Sequence, residues 1–315
     1  MEGVCIMNSN FDVGIIGGGP AGLNAALVLG RARRKVVIID EGRPRNRVTK
    51  ESHGFLTRDG IAPNEFRNIA RDQLRNYPSI QFVEDIATEI TGRDGEFLIS
   101  TEEGAVYKTK KILFAVGMKD LPLDIDGLSE AYGRSAFVCP YCDGWELREQ
   151  SLVLIAKGDR GFHGVKTLLG WTNSLTICTN GPDEWTDEQR GEIELRGIKI
   201  YSAPIKKIES KDGFVQQIKL ADGTLIPCTG VFFTPKLTIG SKLPQSLGCE
   251  MNEAGSIVVD SFGKTNVPGV YSAGDAASEM YQVIAAAASG AITAIRINSE
   301  LLEETWGNIE KINRI

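Results

Sequence analysis

The fold of this chain is decided by the stretch Gly17-Gly18-Gly19-Pro20-Ala21-Gly22, which has the pattern Gly-x-Gly-x-x-Gly. An apolar strand from Phe11 to Ile16 is expected before it, and a helix from Ala21 to Arg31 is expected after it. A second apolar strand, Lys35 to Ile39, then ends in the acid Asp40. Strand, glycine turn, helix, strand and terminal acid form one complete βαβ unit, which is the pattern of a dinucleotide-binding site.

The glycines of this turn have different physical tasks. Gly17 permits the tight turn, Gly19 allows the backbone to approach a pyrophosphate, and Gly22 allows the helix to pack closely on the strand. The N-terminus of the helix then faces the phosphates, because its first amides have no partners within the helix. Asp40, or its neighbour Glu41, is expected to accept hydrogen bonds from ribose hydroxyls.

A second βαβ pattern lies in the middle of the chain. A strand from Ser151 to Ile155 leads into the turn Ala156-Lys157-Gly158-Asp159-Arg160-Gly161, a helix from Phe162 to Trp171 and a strand from Ser174 to Cys178. We therefore predict an α/β protein with two doubly wound dinucleotide-binding-like domains, the second inserted into the first. The first domain is expected at 1–119 and 251–315, and the inserted domain, which carries the cysteine motif described below, at 120–250.

The last part of the chain completes the first domain. The run from Thr265 to Asp275 is interpreted as a strand that ends in Gly274 and Asp275, and an alanine-rich helix from Tyr281 to Glu303 follows it. An acid placed after a glycine at the end of a strand suits the hydroxyl groups of a phosphate-linked ligand. It suits the capping of a helix equally well.

A cysteine motif, Cys139-Pro140-Tyr141-Cys142, is followed at once by Asp143-Gly144. Two thiols separated by two residues can close into a disulfide that exchanges by thiolate attack, and a neighbouring flavin could pass it two electrons. A zinc site would need two more ligands, whereas the other cysteines stand alone and the chain has 2 histidines. The motif therefore favours a redox pair. Asp143 is a candidate general acid or base, or a cap of the next turn.

Composition excludes several classes of function. The 315 residues are 42% hydrophobic and 24% charged, as expected of a globular chain long enough for two domains. The net charge of −6, with Lys and Arg scattered, argues against nucleic-acid binding. The sequence has no secretory signal and no apolar run long enough to span a membrane, so a cytoplasmic location is expected. The first few residues are interpreted as a disordered leader.

The remaining titratable side chains are given modest roles. His53 is interpreted as an exposed loop residue, with a role as a base near a flavin as the alternative. His163 lies on a predicted helix and needs no chemical function. Cys178, Cys228 and Cys249 are expected to be buried as small apolar residues.

Taken together and in this order, the glycine turn, the turn Ala115-Val116-Gly117, the cysteine motif and the segment Thr265 to Asp275 resemble the low-molecular-weight thioredoxin reductases over nearly the whole chain. This resemblance implies an FAD domain split around an inserted pyridine-nucleotide domain, and a homodimer. It implies that hydride passes from NADPH to FAD, then to the disulfide and on to a partner protein, typically thioredoxin-like.

The resemblance also assigns individual residues. It implies that Cys142 is the cysteine nearer the flavin and that Cys139 attacks the substrate. The residues that it places around FAD are Gly17, Gly19, Pro20, Ala21 and Gly22 at the pyrophosphate, Asp40 at the ribose, Gly274 and Asp275 at the phosphate and ribityl side, and Gly117, Gln282, Val283 and Ile284 along the isoalloxazine. No metal site is expected.

Departures from the family pattern occur in the inserted domain. The turn 156–161 lacks the first glycine of the family's Gly-Gly-Gly-Asp-Ser-Ala, and Cys178-Thr179-Asn180 replaces the His-Arg-Arg that grips the 2′-phosphate of NADPH, so NAD(P)H binding is left open. The segments Gly42 to Asn46 and Ser52 to Leu56 look closer to the flavin dithiol oxidases that close disulfides in gliotoxin, holomycin and related metabolites. That subgroup places Asn46 near FAD.

The sequence therefore predicts an FAD-dependent dithiol/disulfide oxidoreductase, and three versions stay open. One is a thioredoxin reductase fed by NADH, NADPH or reduced ferredoxin. Another oxidises a small dithiol and passes the electrons to oxygen. The third is a flavin-binding redox sensor without turnover, a possibility raised by the altered second nucleotide motif.

Overall fold

The computed structural model of the chain describes residues 6–121 and 123–312, with side chains for residues 10–121 and 123–307. The predicted leader at the first few residues lies outside these ranges. Two units divide the chain. The first contains residues up to Arg47, residues 55–119 and residues from Leu237 onward, and the second contains residues 48–54 and 120–236.

These bounds differ from the predicted ones at the return point. Residues 237–250 were assigned to the inserted domain, but the structure places them in the first unit. The reason is their packing, because Ile239, Leu243 and Cys249 are buried in the same core as Ile16 of the first unit. The segment 48–54 belongs to the second unit although the chain on both sides of it lies in the first.

The first unit is built on a seven-stranded sheet in which β1 is central. Its strands are β1 (Ile6–Ile16), β2 (Val36–Ile39), β3 (Ile80–Val83), β4 (Ala87–Arg93), β5 (Glu96–Thr101), β6 (Val106–Phe114) and β17 (Val270–Ser272). The order is β3-β2-β1-β6-β5-β4, with β17 also paired to β6. The pairs β4–β5 and β5–β6 are antiparallel, and the other pairs are parallel. Ile16 pairs with both Ile39 and Phe114, so the parallel strands end along one edge.

Helices cover this sheet and bring the two ends of the chain together. They are α1 (Pro20–Arg31), α2 (Pro63–Leu74), α7 (Leu243–Ser246) and α8 (Val283–Ile312). Helix α1 buries Leu23, Ala26 and Leu29. A Cβ added to Gly290 of α8 would lie 2.1 Å from the carbonyl oxygen of Ala21, so the two helices pack with their backbones close together.

The second unit has a parallel sheet of five strands and an antiparallel sheet of three. The first has the order β11 (Lys199–Tyr201), β10 (Leu175–Cys178), β9 (Leu152–Ile155), β15 (Gly230–Phe233) and β8 (Ala136–Phe137), and the second contains β12 (Ile205–Lys211), β13 (Phe214–Leu220) and β14 (Leu225–Pro227). Its helices are α3 (Leu128–Ala131), α4 (Pro140–Asp143), α5 (Gly158–Leu168) and α6 (Asp187–Glu194). Where the chain passes between units, β7 (Met118–Leu121) and β16 (Lys236–Ile239) pair with each other.

The predicted α/β class with parallel dinucleotide-binding-type sheets is confirmed. The helix of the second βαβ pattern begins at Gly158 rather than Phe162, because the glycine turn itself forms its first turn. Strands β4 and β12 and helix α6 were not predicted. Within the described ranges, no helix is both long enough and apolar enough to cross a membrane.

Candidate active site

The first glycine turn connects the end of β1 to the start of α1. Gly17 has φ +105°, and a Cβ on it would lie 2.3 Å from the carbonyl oxygen of Ala115. A Cβ on Gly22 would lie 2.0 Å from the carbonyl oxygen of Gly17, whereas a Cβ on Gly19 would meet nothing within 4 Å. Helix α1 begins after Gly19 without a side-chain cap. One side of the turn is therefore open, and the first helical amides face it.

Asp40 lies beside this turn, but its carboxylate is already engaged by the protein. Its Oδ1 accepts a 2.9 Å hydrogen bond from the amide of Gly18, and its Oδ2 accepts one from Arg67 and one of 3.0 Å from Arg71. The residue is only 8% exposed. Asp40 thus fixes the conformation of the turn, and its neighbour Glu41, which is half-buried and 3.7 Å from the Lys119 ammonium, is the more accessible acid.

Arg67 on α2 is a buried residue of this site that the sequence analysis missed. Besides Asp40, its guanidinium donates to the carbonyl oxygens of Gly18 and Gly42, each at 3.3 Å. One side chain therefore ties together the turns that follow β1 and β2. The sequence gives little sign of this role, because an arginine on a helix ordinarily faces solvent, whereas Arg67 lies on the buried side of α2.

The segment after β17 returns to the same edge of the sheet. Gly274 has φ +73°, a Cβ on it would lie 2.8 Å from Ala21 Cβ, and its amide donates a 2.8 Å hydrogen bond to Ser289 Oγ. Asp275 lies 3.8 Å from the guanidinium of Arg45. The structure therefore brings Gly274 and Asp275 next to the first glycine turn, as their predicted shared site requires.

The other residues predicted around a flavin also lie in the first unit. Gly117 follows β6, has φ +60° and accepts a 2.9 Å hydrogen bond from the amide of Gly240. Gln282 immediately precedes α8, whose first residues are Val283 and Ile284. Asn46 is half-buried in a 3₁₀ turn over Arg45–Val48.

Cys139 and Cys142 form a disulfide in the second unit, with their Cα atoms 5.3 Å apart. Cys139 immediately precedes the single-turn helix α4, and Cys142 lies within it. Both residues are half-buried, so the sulfurs are neither sealed in the core nor fully open to water. The predicted pair is thus joined in the structure.

Asp143, which follows Cys142 directly, has a strongly raised pKa. Its side chain is buried, and burial is the main reason that its pKa rises to about 7. The negative charge of Glu146 raises this pKa further, and His53 opposes the rise. A carboxyl group with a pKa near neutrality can both give and take a proton under physiological conditions.

Aromatic side chains flank the disulfide. Tyr141 and Trp145 are 69% and 65% exposed, and Tyr141 packs edge-on against Trp171 with ring centroids 5.4 Å apart. A Cβ on Gly144 would lie 2.4 Å from the carbonyl oxygen of Pro140 and 3.0 Å from the Trp171 ring. The glycine after Asp143 is therefore required by close packing.

The other cysteines among the described residues lie away from solvent. Cys178, Cys228 and Cys249 are buried free thiols, as predicted, and burial raises the pKa of Cys178 and of Cys228 to about 12. His163 is exposed on α5. The part of the chain that the structure describes contains no group of three or more His, Cys, Asp or Glu residues placed to hold a metal ion.

The second glycine turn, between β9 and α5, is bonded to residues 183–185, which follow β10. The amide of Gly158 donates a 2.8 Å hydrogen bond to the carbonyl of Asp183, and the indole N–H of Trp185 donates one of 2.7 Å to the carbonyl of Gly158. Lys157 forms an ion pair with Glu184. A Cβ on Gly161 would lie 3.4 Å from the Trp185 ring. The segment after β10 thus occupies the Gly158 amide, which a pyrophosphate would use, and places the Trp185 ring beside the turn.

Comparison with known proteins identifies the family of the chain. The family model described as pyridine nucleotide-disulphide oxidoreductase matches residues 11–290. The chain is 30% identical to thioredoxin reductase sirT from Leptosphaeria maculans over 93% of this chain and 95% of that protein. Among solved structures, the putative thioredoxin reductase TrxB from Bacillus anthracis has a TM-score of 0.89 at 38% identity, covering 93% and 99% of the two chains. The structure of HlmI has a TM-score of 0.92 at 30% identity, covering 98% of each.

Fold and site therefore define a dinucleotide-binding redox enzyme. The chain belongs to the pyridine nucleotide-disulphide oxidoreductase family, and within it to the thioredoxin reductase-like FAD oxidoreductases. The residues of the first unit fit FAD. The space beside Gly19 is open, no side chain caps the first amides of α1, and Glu41 follows the adjacent strand β2. Such a turn is shaped for a pyrophosphate.

Proposed function

We propose that this enzyme oxidises a dithiol through the Cys139–Cys142 disulfide, with electrons leaving through FAD to oxygen rather than arriving from NAD(P)H. The observation that carries this proposal is the second glycine turn, where the Gly158 amide donates to the carbonyl of Asp183 and the Trp185 indole is bonded to the Gly158 carbonyl beside it. The pairing of Lys157 with Glu184 also neutralises a charge that would attract phosphate. A pyrophosphate on this turn would have to displace the amide contact and the ion pair.

In this proposal the first unit holds FAD, which when bound supplies a two-electron acceptor. The residues assigned to it are Gly17, Gly19, Pro20, Ala21, Gly22, Glu41, Asn46, Gly117, Gly274, Asp275, Gln282, Val283 and Ile284. Asp40 supports the turn in this proposal, because its buried carboxylate already accepts hydrogen bonds from Gly18, Arg67 and Arg71.

The chemistry of the second unit is thiol–disulfide exchange. A substrate thiol attacks Cys139, Cys142 leaves as a thiolate, and Asp143 takes the proton that the attacking thiol loses. The position of Asp143 directly after Cys142, together with its pKa of about 7, supports this role. The exposed aromatic rings of Tyr141 and Trp145 support a substrate whose body is apolar.

A reductive thioredoxin reductase is the second candidate, and the names of the relatives favour it. The protein from Bacillus anthracis is described as a putative thioredoxin reductase, and it is 38% identical to this chain. In that version a thioredoxin-like protein is the substrate, and NADPH, NADH or ferredoxin is the donor. A homodimer and a cytoplasmic location are proposed for either version. The non-catalytic redox sensor is the third candidate.

Anaerobic stopped-flow absorbance separates these candidates. The purified flavoprotein is mixed in turn with NADPH, NADH and dithiothreitol, and oxygen uptake is then recorded with each. Bleaching by dithiothreitol alone, followed by oxygen consumption, is the expected result. Fast bleaching by a nicotinamide would overturn the proposal in favour of the reductase, and no turnover with any of these reagents would favour the sensor.

Cysteine variants test the relay within the same experiment. Cys139→Ser and Cys142→Ser are each expected to abolish dithiol-driven bleaching while FAD stays bound, because each removes half of the exchanging disulfide. Cys178→Ser is the control, since this thiol is buried and forms no disulfide. Full turnover in either active-pair variant would exclude the relay.

A further inference from the structure

The segment 48–54 is held against the unit that carries the disulfide. Gly133, which precedes β8, has φ +80°, and a Cβ on it would lie 2.1 Å from the carbonyl oxygen of Val48. This close backbone approach anchors the start of the segment. It allows a histidine that is nearly ninety residues away in sequence to reach the surroundings of Asp143.

His53 lies among carboxylates at the end of this segment. Its Nε2 is 3.7 Å from Oε1 of Glu146 and 3.8 Å from Oε2 of Glu51. The imidazole side chain is 18% exposed, whereas those of Glu146 and Glu51 are 41% and 46% exposed. The histidine is therefore the inner member of the group, and the two glutamates lead to solvent.

Asp143 is within electrostatic reach of two members of this group. Glu146 and His53 are the two side chains that act on its ionisation, and they act in opposite directions. Burial strengthens both effects, because a low-dielectric environment screens charges poorly. The protonation of Asp143 is thus coupled to a pair of residues that the sequence analysis did not connect with the disulfide.

We propose that His53 is a positioning residue of the thiol–disulfide step, which together with Glu146 controls when Asp143 takes a proton and provides its path to solvent. The inference rests on the proposed dithiol oxidation. It goes beyond it by assigning the proton exit to residues outside the cysteine motif.

The exit is needed because the exchange releases a proton. One substrate thiol gives its proton to Asp143, its sulfur bonds to Cys139, and the disulfide breaks with Cys142 leaving as a thiolate. Asp143 passes this proton through Glu146 and His53 to solvent. The second thiol then gives its proton to Asp143, its sulfur bonds to the substrate sulfur held by Cys139, and Cys139 leaves and takes that proton from Asp143. The substrate loses two electrons and the enzyme disulfide gains them. Of the two protons, one stays on Cys139 and the other leaves through Glu146 and His53.

The test measures how fast dithiothreitol reduces the disulfide, by rapid quenching with an alkylating reagent and mass spectrometry, between about pH 5 and pH 9. The variants are His53→Gln, Glu146→Gln and, as the matched control, Glu51→Gln, which also lies near His53 but is not among the charges that act on Asp143. His53→Asn provides a second neutral replacement. Melting temperature and FAD content establish that each variant is folded.

The pH profile of the exchange rate has an inflection, and we expect the Glu146 variant and the His53 variants to move it in opposite directions. Glu146→Gln removes a group that raises the pKa of Asp143 and lowers this pH, whereas His53→Gln and His53→Asn remove a group that lowers that pKa and raise this pH. A purely structural role would slow the reaction without such opposite shifts. The rate at pH 7 is expected to fall about tenfold in the His53 variants.

The result that would overturn the inference is a common inflection in the wild type and all four folded variants. Failure of the proton path can be told apart from failure of the proposed dithiol oxidation, because oxygen uptake by the wild-type protein tests only the oxidation. Opposite pH shifts without oxygen uptake would keep the proton path and reject the oxidase. Oxygen uptake with coincident pH profiles would do the reverse.

Discussion

The amide of Gly18 donates a 2.9 Å hydrogen bond to Oδ1 of Asp40, the acid at the end of β2. Arg67 and Arg71 donate to the other carboxylate oxygen. An acid at this position of a dinucleotide-binding unit is expected to face the ribose. In this chain it also connects the glycine turn to helix α2, so its loss should affect the protein even in the absence of a ligand.

Asp40→Asn is expected to destabilise the FAD-free protein by about 3 kcal/mol, because it leaves the buried Arg67 without its carboxylate. Glu41→Gln, the matched control, should weaken FAD binding with little effect on the stability of the FAD-free protein. Urea unfolding of the FAD-free proteins and FAD titration measure the two effects. Equal stability of the wild type and Asp40→Asn would show that the carboxylate does not support the turn.

Gly19→Ala is expected to leave the FAD-free fold intact but to weaken FAD binding at least about tenfold, since its methyl group would occupy the open side of the turn. Gly22→Ala is the contrasting variant, because its Cβ would lie 2.0 Å from a backbone oxygen. It should unfold more easily with or without FAD. Normal FAD affinity in Gly19→Ala would place the pyrophosphate elsewhere.

Local patterns were sufficient to predict the parts of the site whose residues are close in sequence. The strand, glycine turn and helix around Gly17 follow from hydrophobic periodicity and from the backbone freedom of glycine, and the structure reproduces them within a few residues. The spacing of Cys139 and Cys142 likewise predicted a disulfide that the structure contains.

Contacts between distant segments could not be predicted in this way. Nothing local indicates that Arg67 reaches Asp40 from the next helix, or that Trp185 reaches the carbonyl of Gly158. His53 was interpreted as an exposed loop residue, yet its side chain is 18% exposed and lies near Glu146. Each of these contacts is set by tertiary packing, which hydrophobic period and turn chemistry do not encode.

Gly144→Ala is expected to destabilise the second unit by about 1–3 kcal/mol, because its Cβ would overlap the carbonyl oxygen of Pro140 and press on Trp171. The control is Gly191→Ala on α6, where a Cβ meets nothing within 4 Å. That change should stabilise the helix slightly, since alanine has the higher helix propensity. Thermal unfolding of both variants measures the difference, and similar melting temperatures would contradict the packing argument.

The raised pKa of Asp143 predicts that the free energy of unfolding depends on pH. Its folded value of about 7 lies above its ordinary value of 3.8, so the folded state holds a proton that the unfolded state has lost, and stability falls as pH rises between these values. Asp143→Asn should therefore match the wild type near pH 4 and exceed its stability at pH 8 by at most about 4 kcal/mol. Urea unfolding of the oxidised proteins at both pH values measures this. A constant difference would mean that burial does not penalise the charged form.

The same variant tests whether Asp143 takes part in proton transfer. If Asp143 accepts the proton of an attacking dithiol, its carboxylate form is active, and the ratio of wild-type to Asp143→Asn exchange rates should rise through pH 7 to about a hundredfold. The ratio cancels the ionisation of the substrate thiol, which affects both proteins equally. In the reverse step, where the reduced pair attacks a disulfide, Asp143 donates a proton, and the ratio should fall through the same pH. Rapid-quench measurements with dithiothreitol and with an oxidised disulfide substrate measure the two ratios, and a flat ratio in both would remove Asp143 from the mechanism.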